Sequence, residues 1–127
     1  MVTGHIGIIL DDLRARIEGI ATALIARDGT VVYAHLPTEA HAETWAIMCA
    51  TMVGAAVTAN GELDRVPPNR VVVEGADSRT VIVASGNRAL LVATVPVSVD
   101  LTRVLAEMEK FADLLKSSEA AEPSTVA

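Results

Sequence analysis

The residues in this chain that could do chemistry are few, and their spacing does not assemble them. His5, His35 and His41 are the only imidazoles, and Cys49 is the only thiol. A zinc site needs about four ligands converging on one point. These four residues share no ligand spacing, so no metal site is expected. Asp11-Asp12 and Asp64 read as solvated charges and not as a general acid paired with a general base. Ser85-Gly86-Asn87 offers a hydroxyl, but it reads as a turn and lacks the flanks of a nucleophile elbow. Neither G-x-x-x-x-G-K-[ST] nor G-x-G-x-x-G occurs, which removes the phosphate cradles that nucleotide enzymes need. A single cysteine cannot close an internal disulfide, and Cys49 falls on an apolar stripe, so it reads as a buried thiol. The expectation is a protein without catalysis and without a cofactor.

Charge offers one further candidate. Arg65, Arg70, Arg79 and Arg88 lie in or beside one stretch, and the planar guanidinium fork pairs well with carboxylates. Arg65, Arg79 and Arg88 could dock an acidic partner; the alternative is unrelated solvated arginines. The chain as a whole carries a formal charge of −6. That argues against nonspecific nucleic-acid binding, which depends on neutralising phosphates. With 127 residues, one domain over 1–116 is expected, followed by a disordered tail over 117–127 of small polar residues. The apolar fraction is 51% but Trp45, Tyr33 and Phe111 are the only aromatics, so aliphatic side chains must build the core. No secretory signal, no position-2 glycine for myristoylation and no uninterrupted membrane-spanning run is read. The expected location is cytoplasmic, without membrane insertion.

The elements that would position any site follow from periodicity. Ile6, Ile9, Leu10, Leu13 and Ile17 mark one face of a helix over about 5–18, with Thr3 as its cap and Gly19 as its stop. Ile20–Ala26 and Val31–Ala34 flank Arg27-Asp28-Gly29-Thr30, a hairpin signature. Ala42–Asn60 lacks proline and reads as a central helix stopped by Gly61, followed by a loop around Pro67-Pro68. Strands are expected at Arg70–Gly75, Thr80–Ala84 and Ala89–Val95, joined by short turns into an antiparallel meander. Val81-Ile82-Val83 and Leu90-Leu91-Val92 are apolar on both faces, so helices must cover both sides of the sheet. A last helix begins near Ser98 and carries Leu101, Val104, Leu105, Met108, Phe111, Ala112 and Leu115 on one stripe.

The central helix is unusual in having two dry sides. Trp45, Met48, Cys49, Met52, Ala56 and Ala59 form a large stripe suited to covering a sheet. Nearly opposite, Ala46, Ala50, Gly54 and Thr58 recur every four residues. A helix on the outside of a monomer should carry charge there, and only Glu43 supplies any. The expectation is a second copy packed on the small stripe. The strand Arg70–Glu74 would lie at the sheet edge with unpaired backbone groups, offering the same copy a second contact.

Together these features resemble the roadblock/LC7 family, which includes MglB-like regulators and Ragulator-type scaffold subunits. The resemblance spans about residues 5–116. It is most specific at Ala23-Leu24-Ile25-Ala26-Arg27-Asp28-Gly29-Thr30-Val31-Val32, followed in order by the small-residue helix and the strands Val71–Glu74 and Ala89–Val95. It implies an α+β, profilin-like fold, α-β-β-α-β-β-β-α, with a five-stranded antiparallel sheet ordered 2-1-5-4-3. It also implies homodimers built through the second helix and third strand into a ten-stranded sheet. Ala46, Ala50, Gly54 and Thr58 would then make the helix contact, and Arg70, Val71, Val72, Val73 and Glu74 the strand contact. Such proteins are not enzymes, and many are platforms or regulators for small Ras-like GTPases. Thr22 and Ala23 stand where family hairpins often carry glycine. The implied function is a non-catalytic homodimeric regulator or platform for a small GTPase. A scaffold subunit of a signalling, motility or transport complex and a small-ligand sensor are the alternatives.

Overall fold

A computed structural model describes residues 2–120. The elements run α1 (Val2–Ile17), β1 (Ala21–Ala26), β2 (Val31–His35), α2 (Ala42–Glu62), β3 (Arg70–Glu74), β4 (Ser78–Ser85), β5 (Ala89–Pro96) and α3 (Leu101–Ala120). The five strands form one antiparallel sheet in the order β2-β1-β5-β4-β3. This is the expected α-β-β-α-β-β-β-α architecture, with helices on both faces.

Alternation along the central strands divides the core in two. Leu24, Val81, Val83, Leu91, Ala93 and Val95 point to one face, where α1 (Leu10, Leu13, Ile17) and α3 (Val104, Met108, Phe111, Leu115) cover them. Ala23, Ile25, Ile82, Leu90 and Val92 point to the other, where α2 is the cover. Strand residues apolar on both faces require this double cover, because an uncovered face would leave them in water.

Several boundaries differ from the sequence reading, each for a local reason. The first helix begins at Val2, so Thr3 lies inside it and does not cap it. It ends because Glu18 takes a left-handed conformation, φ 54°, while the Gly19 amide reaches back to the Arg14 carbonyl at 2.9 Å. The left-handed residue of this C-terminal motif is thus the glutamate before the glycine. Gly61 does not stop α2, which runs on to Glu62; the left-handed residue there is Asp64, φ 57°. The cap of α3 is Asp100, whose carboxylate accepts the Thr102 amide at 3.2 Å, and not Ser98. That last helix continues through Ala120, so residues 117–120 extend it and do not begin a tail. Residues 121–127 of the expected tail lie outside the described residues.

Hairpin chemistry fixes where α2 sits. The Asp28 carboxylate accepts the Thr30 amide at 3.0 Å, and Gly29 adopts φ 94°. A β-carbon on Gly29 would stand 2.9 Å from the Ile47 α-carbon. The turn therefore needs glycine twice over, once for its dihedral and once because the helix backbone rests on it.

Candidate interaction surface

The helix α2 is 21 residues long, and its most apolar 18-residue window has a mean hydropathy of 1.3, yet little of that window is buried. Its inward arc is built from small and medium side chains. Ala46 and Cys49 are fully buried, while Trp45, Ala50, Met52 and Val53 are half-buried against the same core. Its outward arc carries Ile47, Met48, Thr51, Gly54, Ala55, Thr58 and Ala59. Ile47 is 47% exposed and Met48 51%. No charged side chain interrupts this arc between Glu43 and Glu62.

The two expected stripes are therefore rotated. Ala46 was expected on the partner side and instead has 0% exposure, pressed on the sheet; Ala50 is half-buried beside it. Met48 and Ala59 were expected on the sheet and face outward. The physical reason is proximity. Helix and sheet approach closely over Ala23 and Ala34, so alanine and cysteine occupy the contact line and bulkier residues fall to its flanks. Gly54 and Thr58 do lie outward, and nothing stands within 4 Å of where a Gly54 β-carbon would be.

Beside the far half of α2 lies β3, an edge strand paired only with β4. Its register with β4 is regular, from Arg70 opposite Val83 to Glu74 opposite Arg79. Val71 is half-buried under α2, Val72 against the α1–α3 side, and Val73 is 42% exposed. Arg70 pairs with Glu109 of α3 at 2.6 Å, and Glu74 with Arg79 at 3.2 Å. The opposite edge, β2, differs. A register shift between Leu24 and Ile25 interrupts its pairing with β1, and such irregularities blunt an edge against further pairing.

The arginines do not form the patch that was one reading of the sequence. Arg79 is committed internally: besides Glu74 it donates to the Val97 and Val99 carbonyls at 3.3 and 3.4 Å, tying the β5–α3 connection. Arg88 lies at the other end of β4, about 20 Å away at ~3.3 Å per strand residue. Arg65 stands exposed in the loop after α2. Sequence reasoning missed Arg27, which borders the same end of the sheet as Arg88 and whose amide donates to the Arg88 carbonyl at 3.1 Å. Ladder adjacency across the sheet was the signal available for it.

Chemistry is equally quiet. The Ser85 hydroxyl is buried and donates to the Ala112 carbonyl at 2.8 Å, so it staples β4 to α3. Burial pushes the Cys49 thiol up to about 11. No group of three or more potential metal ligands is found among the described residues. The concavity between α2, Pro67-Pro68 and the sheet encloses about 70 Å³, well below the ~300–1,000 Å³ of sites that engulf small molecules; a roomier hollow of about 310 Å³, between the hairpin tip, Glu43 and Ile47, is an open surface depression.

The comparisons with known proteins agree with this arrangement. Over 118 residues the chain is 28% identical to an uncharacterized protein of Methanocaldococcus jannaschii, covering 92% of this chain and 98% of that one. The solved structure of Myxococcus xanthus MglB superposes with a TM-score of 0.87 at 18% identity, covering 94% and 90% of the two chains. A Roadblock/LC7 domain from Streptomyces avermitilis gives 0.78 at 17% identity, covering 94% and 97%. These superpositions establish the shared fold. The family model for the Roadblock/LC7 domain matches residues 9–94, and the chain belongs to that family of non-catalytic regulatory domains.

Proposed function

We propose that this protein is a homodimeric, non-catalytic regulator or platform for a small Ras-like GTPase, acting in the cytoplasm. The observation that carries the reading is the uncharged outward arc of α2, Ile47 through Ala59, lying beside the open, regular edge of β3. An apolar arc of this length is costly in water. Covering it with the same arc of a second copy removes that cost, while β3 pairing with its twin satisfies the strand's outer backbone groups. Both contacts map onto themselves under a two-fold axis, as a closed dimer requires. Gly54, Thr58 and Val73 are the expected contacts from the sequence reading that face this surface. Ile47, Met48, Thr51 and Ala55 join them.

Family membership and the superposition on MglB support the GTPase part. Sedimentation at micromolar concentration tests the dimer. Affinity capture from native lysate, with and without added GTP, tests the partner through identification of a protein with a phosphate-binding loop. A monomer at high concentration, or no such protein under either condition, defeats the corresponding half.

A further inference from the structure

The free edge of β3 has a fixed bonding parity. The Gly75 amide donates to the Ser78 carbonyl at 2.8 Å, and on the far side of β4 the Val97 amide donates to the Asp77 carbonyl at 3.2 Å. Bonded and non-bonded pairs alternate along an antiparallel ladder. With Val72 opposite Val81 and Glu74 opposite Arg79, Val71 and Val73 bond to β4. The N–H and C=O groups of Arg70, Val72 and Glu74 therefore point away from the sheet. The side chains of these three residues share the α1–α3 face, where Val72 packs in the core and Arg70 pairs with Glu109. The strand reads Arg-Val-Val-Val-Glu, with opposite charges at its two ends. Both ends are held in place. Glu109 holds Arg70 at 2.6 Å, and Arg79, itself anchored on the Val97 and Val99 carbonyls, holds Glu74 at 3.2 Å.

We infer that this edge selects its own copy and sets the register of the pair: β3 lies antiparallel to β3 of a second chain with Val72 opposite the partner's Val72, so that at each end an Arg70 faces the partner's Glu74. The inference rests on the self-association proposed above and adds which residues meet. A two-fold axis admits few registers. Outward-pointing residues must oppose outward-pointing residues, because cross-strand partners share one face. Sliding the axis to Val71 sets Glu74 against the partner's Pro68, which has no N–H to give. Sliding it to Val73 sets Arg70 against the partner's Ala76, beyond the end of the strand. The register centred on Val72 bonds all of Arg70, Val72 and Glu74 and matches the charges at both ends. Opposite charges across strands favour pairing and like charges oppose it, so a strand with another charge pattern is rejected as a partner.

The test uses the full chain and its Arg70→Glu (R70E) and Glu74→Arg (E74R) variants. Alone, each variant sets like charges opposite each other at both ends of the pairing, and its dissociation constant in sedimentation should rise by about tenfold or more. Mixed in equal amounts, the two should associate again as a heterodimer, since R70E offers only carboxylates at these ends and E74R only guanidiniums. The repulsion that each change creates inside its own chain, with Glu109 or Arg79, is the same alone and mixed, so mixing reads the contact between chains. Added salt should weaken the mixed pair. Separately, Val72→Cys should cross-link to itself under mild oxidation, its α-carbons standing ~5.5 Å apart. Val73→Cys should not, because its α-carbons would stand ~8 Å apart. Cys49 is buried on the opposite face of the sheet and does not compete. A parent chain that is monomeric at every concentration would overturn the proposed dimer and this register together. With a dimeric parent, R70E and E74R that associate as tightly apart as mixed would overturn the register alone. So would a Val73→Cys chain that cross-links where Val72→Cys does not.

Discussion

Replacing Gly54 with leucine separates the surface of α2 that faces its own sheet from the surface that faces outward. In the single chain a β-carbon at this position meets nothing within 4 Å, so the side chain projects into water. Glycine inside a helix also costs about 0.5–1 kcal/mol relative to alanine. The isolated fold should therefore keep or slightly gain stability. In a two-fold dimer built on this arc the same change enters twice. Overpacking a close contact costs ~1–3 kcal/mol per site, so the pair should lose ~2–6 kcal/mol. That is a rise in dissociation constant between about 30-fold and about 10⁴-fold. Sedimentation equilibrium across a concentration series measures the constant, and thermal denaturation of the dilute variant measures the fold. Gly54→Ala, which adds one methyl group, controls for helix propensity. A dissociation constant unchanged within about threefold, with the helix intact, would refute the placement of Gly54 at the contact. A G54L chain that melts earlier than the parent, both diluted below the parent's dissociation constant so that both are monomers, would refute the claim that the position is open.

Ala46→Leu should do the reverse: a fully buried site on the sheet cannot admit the extra volume, and the monomer fold should lose ~1–3 kcal/mol in urea titration. Val73→Lys, on the exposed edge strand, should weaken self-association in sedimentation while leaving the far-ultraviolet circular dichroism spectrum unchanged. The Cys49 thiol, raised to about 11 by burial, should react with a disulfide reagent at pH 8 only as fast as the protein opens. Because the unfolded thiol ionises first, near its ordinary 9.0, the stability from keeping it neutral is intact below pH 9 and is lost as pH rises towards 11; Cys49→Ser should flatten that limb of a pH–stability curve. The Thr30 amide holds the Asp28 carboxyl below its ordinary 3.8. Its contribution is present above about pH 4 and lost as pH falls through the lowered value, so Asp28→Asn should show a weaker acid response.

Most of the architecture was legible because period-two and period-3.6 patterns are strong signals over the strands and α1 and α3. The hairpin followed from Asp28-Gly29, and the double cover from strand residues apolar on both faces. The rotation of α2 was not legible. Assigning the bulkiest residues inward is a fair rule when a helix stands off a sheet, but this helix lies close, so Ala46 and Cys49 take the contact and Met48 is displaced outward. Termini failed where side chains replaced the expected punctuation: Glu18 and Asp64 adopt the left-handed conformation in place of neighbouring glycines. The juxtaposition of Arg27 with Arg88 was hidden because it joins residues far apart in sequence, and only the β1–β5 neighbour relation reveals it.

The seat that Gly29 provides for Ile47 links two regions usually considered apart. The hairpin tip acts as a shim that sets the height of α2 above the strands, and Ile47 itself lies at the border of the outward arc. Thickening that shim by a single methyl group would lift or tilt the rod, altering the profile shown to whatever lies beyond it. Evolution can thus tune how such a domain meets its companions by editing a loop that those companions never touch.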